Sequence, residues 1–407
     1  MKMNSCKICK SKTKSVINFG KMPIANAFLK DPGQEEYLFN LELMFCPTCL
    51  MVQLGETVPP EKMFHDDYQF ISSTSSAMAE HFQLQAEEII ERVSDVKKPF
   101  VIELGSNDGI MLRHIAKAGI NHLGIEPSGN VAKIAQKHGV KSKVAFFNEE
   151  TAQEILDEHG KVDVMSGSNV VCHIEDINSV FAGVEMLLKD TGVFFFEEPY
   201  IFDIVQKSSF DQIYDEHVYY YSGLAVGNLA KRHGLELVDM QHQETHGGSM
   251  RYYVQKKGSA KANSNVKEWI SKEKKLGLDE FSGFEQFADK VDTICKDLKR
   301  TLEDLHKKGH QVAAYAATSK STTTLNYAQI GPDLLKYICD TTPSKIGKFS
   351  PGMHIPVVSY SQFSEDKPKY ALLLAWNHQK EIFAKERDYR EQGGKFITYF
   401  PEVKIHG

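Results

Sequence analysis

The sequence predicts an α/β protein in three parts, a small N-terminal domain stapled by cysteines and then two doubly wound domains of alternating strands and helices. Three observations carry this. Four of the seven cysteines fall as Cys6-Lys-Ile-Cys9 and Cys46-Pro-Thr-Cys49. The apolar run Phe-Val-Ile-Glu-Leu at 100–104 turns through a glycine-bearing loop into a helical pattern. A second strand-loop-helix unit starts at 311–316. The 407 residues, 42% hydrophobic and 25% charged, have the composition of a globular chain long enough for two or three domains.

The first part is expected over residues 1–66. Its strand-like runs at 16–19, 38–45 and 50–54 offer too little core to stand alone, so a staple is needed. Two CxxC turns can each aim two thiolates at one ion, and the chain between Cys9 and Cys46 is long enough for a hairpin to bring them together. With all four positions filled by cysteine, the expected zinc at Cys6, Cys9, Cys46 and Cys49 is structural. A redox CxxC would instead sit on a βαβ unit. The odd cysteine count and the absence of an export signal argue against a disulfide framework, and no run of about 18 apolar residues suggests a membrane span, so a cytoplasmic protein is expected. The net charge of −6, with no basic block, carries no nucleic-acid footprint.

The second part is expected over 67–257. Strands are predicted at 100–104, 122–126, 162–165 and 192–198, alternating with helices, and a closing hairpin at 235–241 and 251–255 flanks the turn His-Gly-Gly-Ser at 246–249. The third part, 258–407, opens with a charged helical stretch to Gly309, followed by strands at 311–316, 337–340, 370–374 and 395–398.

A ligand site is expected where the first central strand turns into its helix. The turn Glu103-Leu-Gly105-Ser-Asn107-Asp-Gly109 lets a ligand approach backbone N–H groups at a helix N-terminus. It lacks the GxGxxG spacing of a dinucleotide site, and its acid would repel a pyrophosphate while suiting a cationic amino-acid moiety. Glu126, ending the second strand, can accept both hydroxyls of a ribose. Together these favour S-adenosylmethionine, although a capped turn beside a surface glutamate would carry the same residues. Asn169 and one ring of the Phe146-Phe147 pair, taken as Phe147, are expected to line the same crevice.

The two CxxC pairs, the Ser73-to-Phe82 segment, the Glu103-to-Gly109 turn, Asn169-Val-Val-Cys-His173, Gln212-Ile-Tyr-Asp-Glu-His217 and His246-Gly-Gly-Ser249 together resemble, in this order and over nearly the whole chain, the nucleotide-sugar C-methyltransferases. The resemblance implies a zinc-binding domain, a central class I S-adenosylmethionine domain and a C-terminal Rossmann-like domain that helps hold a nucleotide sugar. It implies methylation at C-3 of a 4-keto-6-deoxy sugar, with His217 as general base, Glu216 orienting or tuning it, Tyr214 contributing a hydroxyl, and His173 and Tyr68 as donors around the ketone oxygen. The chemistry is reasonable in itself, because a ketone acidifies the neighbouring C–H enough for a neutral imidazole to remove it. Substrate contacts are expected from Lys320, Ser319 and Ser321, and from His246, Gly247 and Arg251. The chain departs from the family pattern at Thr318–Ser321, where a glycine-containing loop is usual, and at Asp215, where many relatives carry histidine.

Two other readings stay open on the residues. One is a methyltransferase acting on a sugar hydroxyl, another small molecule or an RNA base; the acidic net charge weighs against RNA. The other is a non-enzymatic module retaining the fold, against which Gly105, Glu126 and His217 speak together. A monomer acting on a small molecule, without membrane or nucleic acid, is the expectation.

Overall fold

A computed structural model describes residues 5–59, 62 and 76–407, with the side chains of 76 and 77 left aside. The N-terminal strands β1 (Lys14–Pro23), β2 (Leu38–Phe45) and β3 (Val52–Leu54) pair antiparallel. Their apolar residues Val16, Phe19, Leu41, Leu43 and Leu54 turn to one face and are buried. Register shifts after Ser15 and Asn18 let both Val16 and Ile17 face inward, which strict alternation would forbid.

The central sheet is built from β4 (Phe100–Leu104), β5 (Asn121–Ile125), β6 (Ser142–Lys143), β7 (Val162–Ser168) and β8 (Leu188–Pro199), all parallel. After the short β9 (Tyr219–Tyr220) come β10 (Leu235–Gln243) and β11 (Ser249–Lys256), the expected hairpin, added antiparallel along β8. The order β10-β11-β8-β7-β4-β5-β6 reverses direction between β4 and β7, which opens a crevice beyond their carboxyl ends. Every residue of β4 is buried, as a strand covered by helices on both faces requires. Tyr219 and Tyr220 do not join this sheet. They pair with Gln53 and Val52, so β9 forms the edge of the N-terminal sheet.

The third sheet takes β12 (Val312–Tyr315), β13 (Ile338–Asp340), β14 (Val357–Ser359), β15 (Tyr370–Leu373), β16 (Lys395–Thr398) and β17 (Lys404–His406) in the order β14-β13-β12-β15-β16-β17, parallel except at β17. This is the second Rossmann-like layer. It is introduced by a 27-residue helix, Phe281–Lys307, whose buried Phe284, Phe287, Val291, Ile294, Leu298, Leu302 and Leu305 recur every three or four residues. That stripe packs into one continuous core with both the N-terminal sheet and the C-terminal sheet. Among the described residues no helix is long and apolar enough to cross a membrane.

Candidate active site

The crevice at the β4–β7 reversal brings together the turn after β4, the end of β5 and the loop after β7. Gly105 ends β4 with φ +62°, and a Cβ there would stand 2.6 Å from Val170 Cγ2, so the turn and the loop after β7 touch backbone to side chain. Asn107 (φ +47°) donates its backbone N–H to Glu126 Oε2 at 3.0 Å, while Ser128 N–H donates to Glu126 Oε1 at 2.8 Å. Gly109 turns in the left-handed region against Val140 and Ala135. Glu103, Asp108 and Glu126 are three buried acids in one place. Burial, then Asp108 and Glu126, push the Glu103 carboxyl well above its ordinary value, and its Oε2 is buried without a hydrogen-bond partner. Crowded buried acids, one with an orphaned oxygen, fit a ligand whose ammonium and sulfonium groups would favour their ionised forms. Asn169 (φ +52°) sits at the end of β7, its N–H donated to the Glu197 carbonyl. The Phe pair divides, but the ring left in the open is Phe146, 57% exposed, whereas Phe147 is in the core against Ala152 and Gly183.

The loop after β7 continues from this crevice to a second cluster. Glu198 Oε1 accepts the N–H groups of Val170 and Val171 at 3.1 and 2.7 Å and so fixes that loop, a role its sequence position did not suggest. Cys172 then accepts Val218 N–H at its carbonyl, which binds the loop to the segment carrying His217. The His217 ring is buried. Its Nδ1 lies 3.1 Å from the Gln212 carbonyl and its Nε2 3.1 Å from the Tyr214 hydroxyl. A carbonyl can only accept, so Nδ1 carries the proton and Nε2 presents its lone pair to the Tyr214 O–H. Burial, then the charges of His173 and Lys320, hold the imidazole well below its ordinary pKa. The same burial pushes the Tyr214 phenol well up, so both groups are neutral at pH 7.

His173 faces His217 with ring centroids 5.2 Å apart, and its Nδ1 donates to the Glu216 carbonyl. The Glu216 carboxylate points away from His217, accepting Asn26 Nδ2 at 2.9 Å. The orienting oxygen at His217 Nδ1 is therefore that of Gln212. Cys172, His173 and His217 bring donor atoms within 4.8 Å of one another, and burial pushes the Cys172 thiol well up. Tyr68 lies outside the described residues.

The C-terminal domain closes this cluster from the other side. Lys320, in the first turn of the helix Ser319–Tyr327, directs its Nζ to the His246 carbonyl at 3.4 Å and lies over the Trp376 ring at 5.8 Å. Burial lowers its pKa, with Asp211 opposing. His246 and Gly247 form the tip between β10 and β11, in left-handed conformations at φ +54° and +91°. The Trp376 ring rests on Gly247, where a Cβ would come within 2.5 Å of it, and donates its N–H to Asp211 Oδ2 at 2.7 Å. Burial raises the Asp211 carboxyl to about 6, and burial with Lys320 lowers His246 to about 4. Trp376, Asp211 and Asn26 carried no signal in the sequence, since their partners lie far along the chain. Ser319 and Ser321 are at the helix start, but the first donates to Asn26 Oδ1 and the second to the Thr318 carbonyl, while Thr318 Oγ1 caps the helix. Arg251 stands apart. Its guanidinium is buried, with Nη2 and Nε both donating to Glu197 Oε2 at 2.9 and 3.1 Å and Nη1 to Glu88 Oε2 at 2.9 Å, so the residue ties β11 to β8 and to the helix Ser76–Arg92.

The cysteines meet as expected. The Sγ atoms of Cys6 and Cys49 are 3.5 Å apart and those of Cys9 and Cys46 3.4 Å, and all four lie within 4.8 Å of one another. Four sulfurs around one tetrahedral zinc at about 2.3 Å would be about 3.8 Å apart, so small adjustments seat the ion. Hydrogen bonding among the sulfurs lowers the Cys46 thiol while raising those of Cys6 and Cys49, as when neighbouring sulfurs share one negative charge, and a bound ion would hold all four as thiolates.

Comparison with known proteins agrees with this anatomy. Residues 6–64 match a family model described as "Putative zinc binding domain", 78–240 a "Methyltransferase domain" and 244–401 a "C-methyltransferase C-terminal domain". The C-methyltransferase NovU of Streptomyces niveus is 31% identical over 99% of this chain and 97% of its own length. A ubiquinone biosynthesis O-methyltransferase of Ralstonia nicotianae is 34% identical over 24% of this chain and 41% of its own. Among solved structures, a S-adenosylmethionine-dependent methyltransferase from Clostridium acetobutylicum covers 44% of this chain and 92% of its own at 16% identity, with a TM-score of 0.36. The crevice, the cysteine cluster and the family matches define an S-adenosylmethionine-dependent methyltransferase with a zinc-binding N-terminal domain. More particularly, the chain belongs to the family of C-methyltransferases that includes NovU.

Proposed function

We propose that the enzyme methylates C-3 of a 4-keto-6-deoxy nucleotide sugar in the cytoplasm, with His217 as the base. The single observation that carries this is the fixed tautomer of His217: Nδ1–H is committed to the Gln212 carbonyl, and Nε2 offers a lone pair in a buried site where the imidazole stays neutral. Carbon methylation needs such a group, because a proton must leave the carbon before it can act as nucleophile. His217 Nε2 takes the proton from the carbon beside the ketone. The Tyr214 hydroxyl, 3.1 Å from that nitrogen, is placed to turn its O–H from the imidazole to the enolate oxygen as charge develops there. His173 supports the site at a ring-to-ring distance of 5.2 Å. S-adenosylmethionine, held by Gly105, Asn107, Glu103, Glu126 and Asn169, supplies an electrophilic methyl group when bound. Lys320 and His246, between the two Rossmann-like layers, offer positive charge and backbone to the diphosphate of the sugar. None of the seven cysteines is paired in a disulfide, as suits a reducing compartment.

The test is to incubate the enzyme in heavy water with a panel of 4-keto-6-deoxy sugars on different nucleotides. Deuterium should enter at C-3 without methyl donor present, and with donor the product should gain one methyl on that carbon. A methyl found on oxygen, or turnover without exchange, would refute the reading.

A further inference from the structure

We propose that Asn26, in the loop between β1 and β2 of the zinc-binding domain, is a positioning residue that links the helix Ser319–Tyr327 to the His217 segment. The Ser319 hydroxyl donates to Asn26 Oδ1 at 2.9 Å, and Asn26 Nδ2 donates to Glu216 Oε1 at 2.9 Å. A parallel rung lies beside it. Thr322 Oγ1 donates to the Ala25 carbonyl at 3.0 Å, and Ala25 N–H donates to Asp215 Oδ1 at 2.9 Å. Thr323 Oγ1 joins the same two outer elements directly, donating to the Ile213 carbonyl at 2.7 Å. Two consecutive residues of the N-terminal domain thus stand between a helix start of the C-terminal domain and two consecutive acids of the central domain.

The rungs differ in accessibility. Ala25 is buried, whereas Asn26 is exposed, on the open side of the joint. The Asn26 rung is therefore the one that a ligand at the helix start can reach. Its far end is Glu216, whose carbonyl holds His173 and whose neighbour in sequence is His217. An asparagine is suited to this place because one planar amide offers an acceptor to Ser319 and a donor to Glu216. Aspartate has the same shape but two acceptors, and would set one carboxylate against another.

The inference rests on the reading of His217 as the base, and its test separates the two. Asn26→Asp, Asn26→Ala and the double variant Asn26→Asp/Glu216→Gln are prepared in the full-length zinc-loaded enzyme. The readouts are histidine ¹⁵N spectra without substrate, affinity for S-adenosylmethionine by calorimetry, and kcat and KM with a thymidine-diphosphate 4-keto-6-deoxyhexose. Asn26→Asp is expected to shift the ¹⁵N resonances of His173 and His217, assigned by His→Asn variants, and to lower kcat by about tenfold or more, the scale of a small misplacement of reacting groups. Asn26→Ala, which removes the link without adding a charge, should shift the same resonances. Cofactor affinity should be unchanged. In the double variant the donor and acceptor ends of the rung are exchanged, with an amide in place of the Glu216 carboxylate and a carboxylate in place of the Asn26 amide, so spectra and kcat should move back toward wild type. If Asn26→Asp leaves the His173 and His217 resonances at their wild-type positions, the coupling does not exist, whatever the acceptor is. If the resonances shift and recover while the wild type releases no C-3 proton, the coupling stands and the base assignment falls.

Discussion

His217 is a weak base held where weakness is useful. A pKa well below 6.5 means the imidazole needs no deprotonation at neutral pH, and its cause is burial together with the charges of His173 and Lys320. Because the neutral form is the active one, kcat/KM should stay level as pH falls from 8 to 6.5 and decline only below that; an acid limb centred at or above 6.5 would contradict the assignment. His217→Asn should cost about 10²- to 10⁴-fold in kcat with the circular dichroism spectrum unchanged. Asp215 titrates in the other sense. Burial, then Glu216, raises its carboxyl from 3.8 to about 7, so its contribution to stability is full below pH 3.8 and is lost as pH rises through 7. Asparagine keeps an acceptor for the Ala25 N–H. Asp215→Asn should therefore match the wild type near pH 4 and unfold at higher denaturant at pH 8, by on the order of 4 kcal/mol; equal midpoints at pH 8 would argue against a strained acid there.

At the scale of elements, the turn after β4 has little freedom. Gly105 needs both its positive φ and its missing Cβ, given Val170 at 2.6 Å. Gly105→Ala should raise the Kd for S-adenosylmethionine by at least about tenfold in titration calorimetry, and unaltered binding would show that Val170 yields freely. The elements that could be read in the sequence are those whose signal is local. A short run such as 100–104, apolar except for Glu103, reads as a covered parallel strand, and the stripe from Phe284 to Leu305 reads as a helix face. The elements that escaped depend on distant partners. Nothing in the sequence near Tyr219 and Tyr220 indicates that their backbone completes a ladder with Val52 and Gln53. Asn26 is likewise defined by partners 190 and 293 positions away. Arg251 is expected from the sequence to contact substrate, yet Glu197 and Glu88 occupy its guanidinium. Adjacent phenylalanines do not announce which one faces inward, and the core takes Phe147.

The whole molecule does not come apart where the sequence suggests its domains end. The N-terminal sheet shares a core with the helix Phe281–Lys307 and the C-terminal sheet, while its cysteine knuckles pack with the central sheet. A fragment of residues 1–66 supplied with zinc should therefore give a poorly dispersed amide spectrum, and a well-dispersed one would mean that the ion alone organises it. β9 carries a consequence for anyone recombining such enzymes. Because it is the edge of a sheet belonging to the first domain while lying two residues beyond His217, a transplanted N-terminal domain meets a foreign edge strand next to the reaction centre. Chimeras cut only at the linear boundary would inherit a mismatched seam there. Carrying residues 209–222 along with the donor's first domain would keep that seam native, so the heritable unit of this architecture is a discontinuous one.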